Sequence, residues 1–434
     1  MRRPIVHEGA GQLTYEIRGI VALAKALERA GITIIWENIG DPVQKGEPLP
    51  QWMKDIISSL VTQDKIYGYS DTQGVSETRT FLAERVNSRG GCRVTQDDIM
   101  FFNGLGDAVA RIFGFLRREA RVIGPSPAYS THSSAEAAHS GYEHLTYDLN
   151  PADNWMPDLD DLEKKIKYND SISGMLVINP DNPTGAVYPR KILEGMIAIA
   201  KRHGVFVIFD EIYASIVYNN AETASLSEII DDRPGLALRG ISKEFPWPGA
   251  RCGWIEIFNQ DKYPEFKEYI QSIINIKMLE VCSTSLPQYA IPPIMGDPRY
   301  PAHLDRRSRM FEARANTAYR ILSSVDGIHV VQPRGAFYMT ILFNDGVLNQ
   351  RQSLEVDNPA ARQIIETAVQ GVEIDKRFVY YLLAATGICV VPLTGFCCLR
   401  NGFRVTLLEP DDEQAEQNWN TIAAGIKRYL ASAS

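Results

Sequence analysis

Four residues able to do chemistry stand just beyond short apolar runs of this chain. Lys243 follows the run 236–240, and Asp210 ends the run 205–209. Tyr213 comes three residues after Asp210, and Asn182 sits in Asn179-Pro180-Asp181-Asn182-Pro183-Thr184-Gly185, after the run 175–178. Runs apolar on both faces predict strands of a mostly parallel sheet covered by helices. Open sheets of that kind bind ligands at the carboxyl ends of their strands. A lysine amine is a nucleophile only when deprotonated, which burial or a neighbouring cation favours. A carboxylate ending an apolar strand needs a partner. Two readings of Asp210 stand: it faces a protonated ring nitrogen of a ligand, or it caps a helix beginning about Glu211. Tyr213 and Asn182 offer donors to a ring oxygen, although Tyr213 alone is as readily a packing residue. Pro183 and Gly185 would hold the Asn182 amide in one orientation.

A second group suits an anion. Asn103-Gly104-Leu105-Gly106-Asp107-Ala108 follows the run 98–102 and opens a helix, where free backbone N–H groups and glycine admit a phosphate. Alone this loop resembles a dinucleotide-binding turn. The acidic residue expected at the end of the next strand is missing, and Ile123-Gly124-Pro125-Ser126 stands there. Ser242 and Arg251 can complete the cradle, the arginine bidentately. Tyr129 offers an aromatic face for stacking, or is a turn tyrosine. Arg404, a cation amid apolar strand residues, calls for an anion: a substrate carboxylate or a buried acid. Arg400 competes for the same role. An amine for an aldehyde, a carboxylate for a ring nitrogen, donors for a ring oxygen and cations for a phosphate together point to pyridoxal phosphate (PLP).

The elements that must position these groups alternate. An amphipathic helix is predicted over 15–30, another near 52–62, then strands at 98–102, 120–123, 174–178, 205–209 and 236–240, with helices from about Asp107 and Arg190. A long helix begins near Ala302, and strands follow at 327–331, 336–342, 387–391 and 403–407. The expected fold is α/β, with a large, mostly parallel mixed sheet sandwiched by helices. Residues 47–300 form that cofactor-binding domain, 301–434 a smaller α+β domain, and 1–46 a segment joining the small domain.

The chain has 434 residues, 45% hydrophobic and 23% charged, with a formal net charge of −8. That is a globular balance. With no long basic run, nucleic acid and anionic membrane are poor partners. No apolar stretch approaches the ~20 residues of a membrane span, and the start reads as no export signal, so the cytoplasm is expected. The six cysteines form no CxxC and the seven histidines no zinc spacing. Reduced, mostly buried thiols and no metal are expected.

The set resembles the fold-type I PLP-dependent aminotransferases of classes I and II over nearly the whole chain. Ser242-Lys243-Glu244-Phe245-Pro246-Trp247-Pro248-Gly249-Ala250-Arg251-Cys252-Gly253 is similar to the family's S-K-x5-G-x-R-x-G signature. Asn179–Gly185 is similar to N-P-x-N-P-T-G, and Asp210-Glu211-Ile212-Tyr213 to D-E-x-Y. The resemblance implies that Lys243 carries the cofactor as an imine and that Arg251 grips its phosphate. It implies contacts of Asn182 and Tyr213 with the ring oxygen. Tyr69 matches a tyrosine that reaches the neighbouring subunit's cofactor, which implies a homodimer with shared active sites. Gly40 and Arg404 match substrate contacts. Tyr15-Glu16-Ile17-Arg18, Asn38-Ile39-Gly40-Asp41-Pro42 and Pro333-Arg334-Gly335-Ala336-Phe337-Tyr338 look like the bacterial alanine aminotransferase branch, with Tyr15 and Arg18 over the substrate. Ping-pong transfer from L-alanine to 2-oxoglutarate is the implied reaction. Aspartate, aromatic or branched-chain donors, and a PLP lyase on the same scaffold, stay open. Gly240 and Gly106 depart from relatives that carry hydroxyl side chains there. The phosphate grip would then lean on backbone N–H groups, Ser242 and Arg251.

Overall fold

A computed structural model describes residues 5–13 and 16–432. Strand β1 (Ile35–Trp36) precedes eight strands of one sheet: β2 (Ile99–Phe102), β3 (Arg121–Ser126), β4 (Thr146–Asn150), β5 (Met156–Pro157), β6 (Ile172–Ile178), β7 (Phe206–Asp210), β8 (Gly235–Gly240) and β9 (Gly253–Phe258). Their spatial order is β2-β9-β8-β7-β6-β3-β4-β5. Only β9 and β5 pair antiparallel with their neighbours. The sheet is thus mostly parallel, as expected.

Side-chain alternation explains why the central strands are apolar throughout. Met175 and Val177 of β6 face one core with Val207 and Phe209 of β7, against helices Gln51–Leu60, Ser76–Ser88, Leu159–Lys167 and Arg190–His203. Leu176 and Ile178 face the opposite core with Ile208, Leu236 and Leu238, against helices Leu105–Gly114 and Pro264–Met278. Both faces are covered, so neither can be polar.

A four-stranded antiparallel sheet forms from β10 (Ile328–Val330), β11 (Tyr338–Phe343), β13 (Val391–Pro392) and β14 (Gly402–Thr406). The single strand expected over 387–391 is divided. β12 (Ile388–Cys389) pairs in parallel with β1, and the next strand pairs with β14. Residues 35–36 are therefore stitched to the C-terminal part of the chain. Buried Glu37 fixes the next step. It accepts from Thr406 Oγ1 at 3.0 Å and Asn418 Nδ2 at 3.1 Å, and Lys45 Nζ lies 3.4 Å away. Burial raises its pKa, against the nearby lysine. This network sets the backbone of Asn38 and Gly40 beside the large sheet.

Among the described residues no helix is long and apolar enough to cross a membrane. The six cysteines are free, and only three are buried: Cys252, Cys389 and Cys398.

Candidate active site

The parallel strands β3, β6, β7 and β8 lie side by side, so the segments leaving their carboxyl ends meet. Tyr129, Asn182, Asp210, Tyr213, Ser242 and Lys243 line one cavity of about 260 Å³, with Leu105, Gly106 and Arg251. The strand-end reasoning therefore selected residues that converge. Gly104 is not among the lining residues; it precedes helix Leu105–Gly114, whose Leu105 and Gly106 are.

Asp210 does not cap a helix. The segment after it is a turn, within which its Oδ1 accepts from the Ile212 N–H at 3.1 Å, and Tyr213 reaches the cavity from that turn. Its Oδ2 lies 2.8 Å from His132 Nε2. Both side chains are buried. His132 was not foreseen. It comes from helix Ser130–Ser140, which buries Ser130, His132, Ser133, Ser134 and Glu136. A helix that buries polar side chains faces a site rather than an oily core. The position of His132 three residues after Tyr129 was the available signal. Its Nδ1 is buried without a partner among the described residues, so the contact to Asp210 is what holds the imidazole.

Lys243 sits just after β8, and its Nζ donates to the Gly40 carbonyl at 2.6 Å. Burial pushes its pKa down to about 8, helped by Arg404, Arg251 and Arg307 and opposed by Asp41. Arg307 also holds the backbone here. Its guanidinium donates to the Lys243 carbonyl while its other nitrogens grip Glu47 Oε1 and Oε2 at 2.6 and 2.9 Å.

Arg404 answers the question the sequence left open. It is 1% exposed, and no described carboxylate lies within ion-pair distance of it. Its Nη1 donates to Asn182 Oδ1 at 3.2 Å and its Nη2 to the Asn38 carbonyl at 2.6 Å, while Nε has no partner. The guanidinium stacks 4.5 Å from the Tyr338 ring centroid and 5.2 Å from that of Phe396. A buried cation held by neutral acceptors and aromatic faces lacks an anion. Arg400 is no competitor, because Asp148 takes it bidentately at 2.6 and 2.7 Å. Gly40 is tightly walled: a Cβ there would strike the Tyr338 hydroxyl.

The side expected to take a phosphate is shaped by glycines and one arginine. Gly104 has φ +85°, and a Cβ on it would strike the Arg251 guanidinium. Among the described residues Arg251, itself at φ 49°, otherwise contacts only the Pro248 and Asn103 carbonyls, at 3.2 and 3.5 Å. A Cβ on Gly106 would meet nothing within 4 Å. Gly106→Ser is therefore expected to fold normally and tighten PLP binding by about 3- to 10-fold through an added hydroxyl, roughly the worth of one hydrogen bond. Gly104→Ala is expected to weaken it. Equilibrium dialysis of PLP against each apo variant checks both.

Tyr69 is 86% exposed and does not line its own chain's cavity. Tyr15 lies outside the described residues, as does the side chain of Arg18.

The chain matches the family model described as aminotransferase class I and II over residues 34–422. It belongs to that aminotransferase family. Enzymes of this family depend on PLP. A buried carboxylate without an ammonium or guanidinium partner, a lysine of lowered pKa and a glycine–arginine cradle form a donor set that fits the cofactor. An uncharacterized aminotransferase of Methanocaldococcus jannaschii is 57% identical over 430 residues, covering 99% of this chain and all of that protein. The glutamate-pyruvate aminotransferase AlaA of Escherichia coli is 31% identical over 329 residues, covering 75% of this chain and 79% of its own. Among solved structures, alanine aminotransferase from Pyrococcus furiosus superposes with a TM-score of 0.82 at 27% identity. That match covers 96% of this chain and 98% of the other. An aminotransferase from E. coli gives 0.83 at 26%, covering 99% and 100%. In the aminotransferase, Lys243, Asp210 and Asn182 line one cavity at the strand ends of the large sheet, and Arg404 of β14 meets it through Asn182.

Proposed function

We propose that this aminotransferase moves the amino group of L-alanine to 2-oxoglutarate, giving pyruvate and L-glutamate. Arg404 carries the reading of the substrate: a buried guanidinium with no carboxylate partner among the described residues suits the α-carboxylate that every amino and 2-oxo acid presents. A small donor side chain is supported by the closed wall at Gly40 and by the likeness to the E. coli glutamate-pyruvate and P. furiosus alanine aminotransferases.

PLP, when bound, supplies an electron-withdrawing ring that accepts the charge left at the substrate's Cα. In this reading Leu105, Gly106, Ser242 and Arg251 hold its phosphate, with Gly104 admitting it closely. Tyr129 covers a face of the ring, and Asn182 and Tyr213 donate to the ring oxygen. Asp210 would face the ring nitrogen, oriented by His132. Arg404 and Gly40 orient the substrate so that its Cα proton faces Lys243. Burial lowers the Lys243 pKa to about 8, which favours the neutral amine that can take that proton.

The same reading makes residues 47–300 the cofactor-binding domain, and 1–46 with 301–434 the part bringing Gly40 and Arg404. It also makes the protein a homodimer, in which the exposed Tyr69 serves the other subunit's phosphate. Initial rates with 2-oxoglutarate and a panel of donors test the substrate. The reading expects kcat/KM for alanine at least 10-fold above aspartate, tyrosine and leucine. A larger value for any of these reassigns the donor, because one pocket difference is worth only ~1–3 kcal/mol.

A further inference from the structure

Tyr338 lies outside the set of cofactor contacts, yet it touches three of the groups at the centre of the site. Its hydroxyl is 3.0 Å from the Tyr213 hydroxyl. Its ring carries the Arg404 guanidinium. The same hydroxyl closes the space beside Gly40, whose carbonyl holds Lys243 Nζ. Both phenols are buried, Tyr213 at 4% and Tyr338 at 3% exposed. Burial pushes both pKa values up, so each keeps its proton through the neutral range.

Two protonated phenols share one hydrogen bond, so one proton stays within the pair and the other must point away. Among the described residues the Tyr338 hydroxyl has no partner except Tyr213. Were Tyr338 the acceptor, its own proton would be buried without an acceptor, which is unfavourable. Tyr213 lines the cavity, so its proton has somewhere to go. Either hydroxyl can donate across this contact, and the balance of satisfied groups favours one direction: Tyr338 to Tyr213, and Tyr213 into the cavity.

We propose that Tyr338 is a positioning residue that commits the Tyr213 proton to the cofactor's ring oxygen, while its ring face seats Arg404 for the substrate carboxylate. This rests on the reading of Tyr213 given above. Donation from Tyr338 polarises the Tyr213 O–H and strengthens its onward hydrogen bond. A stronger donor at the ring oxygen favours the deprotonated form of the bound chromophore, and so lowers the pH at which its visible spectrum changes.

The test is a spectrophotometric pH titration of the PLP-loaded protein and its Tyr338→Phe, Tyr213→Phe and doubly substituted variants. Tyr338→Phe keeps the ring and removes only the hydroxyl. Its spectral midpoint is expected to rise by about half a unit to one unit, with KM for amino acid within 2-fold of the parent. In the Tyr213→Phe background the same change is expected to shift nothing, since the effect passes through Tyr213. Tyr338→Leu, which also removes the ring under Arg404, is expected to raise that KM at least 5-fold. A parental midpoint in Tyr338→Phe, with Tyr213→Phe shifted, overturns the role of Tyr338 alone. An unshifted Tyr213→Phe overturns the reading of Tyr213 beneath it. A full shift that persists in the double variant shows that Tyr338 does not act through Tyr213, and also overturns the inference.

Discussion

Lys243→Ala loses transamination by at least ~10⁴-fold in kcat, while the protein folds and still binds PLP noncovalently. The size follows from removing a nucleophile and a proton carrier at once. Borohydride treatment followed by peptide mass analysis is expected to fix the cofactor on Lys243 in the parent and nowhere in the variant. The pH dependence of cofactor capture by the apo protein adds a sharper sign. Only the neutral amine attacks an aldehyde, and Lys243 has a pKa lowered by burial to about 8. Capture should therefore slow about tenfold per unit below pH 8 and level off above it. A lysine of ordinary pKa would keep accelerating toward pH 10. Stopped-flow absorbance across pH 6–10 separates the two.

Arg404→Ala is expected to lower kcat/KM for both amino and oxo acids by about 10²–10³-fold. Truncating one partner of a buried charged pair costs about 2–5 kcal/mol. The substrate carboxylate would be left facing a buried pocket with Asn182 and the Asn38 carbonyl. Stability should move the other way from that of an ordinary buried ion pair. Among the described residues this cation has no anion to lose, and burial already lowers its pKa. The melting temperature is expected to hold or rise. Arg404→Lys should recover little, because a point charge cannot replace a planar fork at a carboxylate. Arg400→Gln is the control. Its pairing with Asp148 is over a third exposed on both sides, worth under about 1 kcal/mol, and its KM should match the parent. Steady-state kinetics and thermal melts on the same three variants check the pattern.

Much of the site was legible because residues that the core cannot absorb stand at or just beyond the ends of central strands. Asp210 ends β7, and Lys243 and Asn182 follow β8 and β6, where no packing requirement explains them. The groups that support them were less visible, because their roles depend on what lies across space. His132 hides in a serine-rich helix whose polar face turns inward only in the folded chain. Tyr338 reads as one more strand aromatic until its hydroxyl meets Tyr213. Arg307 sits on a long charged helix and gives no hint that it reaches the Lys243 carbonyl.

The elements missed have similar causes. β9 follows directly on the Lys243 loop and buries Glu256, which breaks its apolar run; Arg239 Nε lies 3.2 Å from that carboxylate. β4 is half polar because it pairs near the sheet edge, with only the two-residue β5 beyond it. Asp210 has the residue type of a helix cap, but its carboxylate serves a turn and His132 instead. The divided strand at 388–392 could not be foreseen locally, since the two halves answer to different partners.

The most direct measurement is the visible spectrum of the PLP-loaded protein during addition of L-alanine, then of 2-oxoglutarate. The account predicts loss of the band near roughly 360–430 nm with stoichiometric pyruvate, and its return with stoichiometric glutamate. A band indifferent to alanine and to every other amino acid would contradict the assignment of Lys243 and Arg404. Pyruvate and ammonia formed repeatedly without any oxo acid would contradict amino transfer itself.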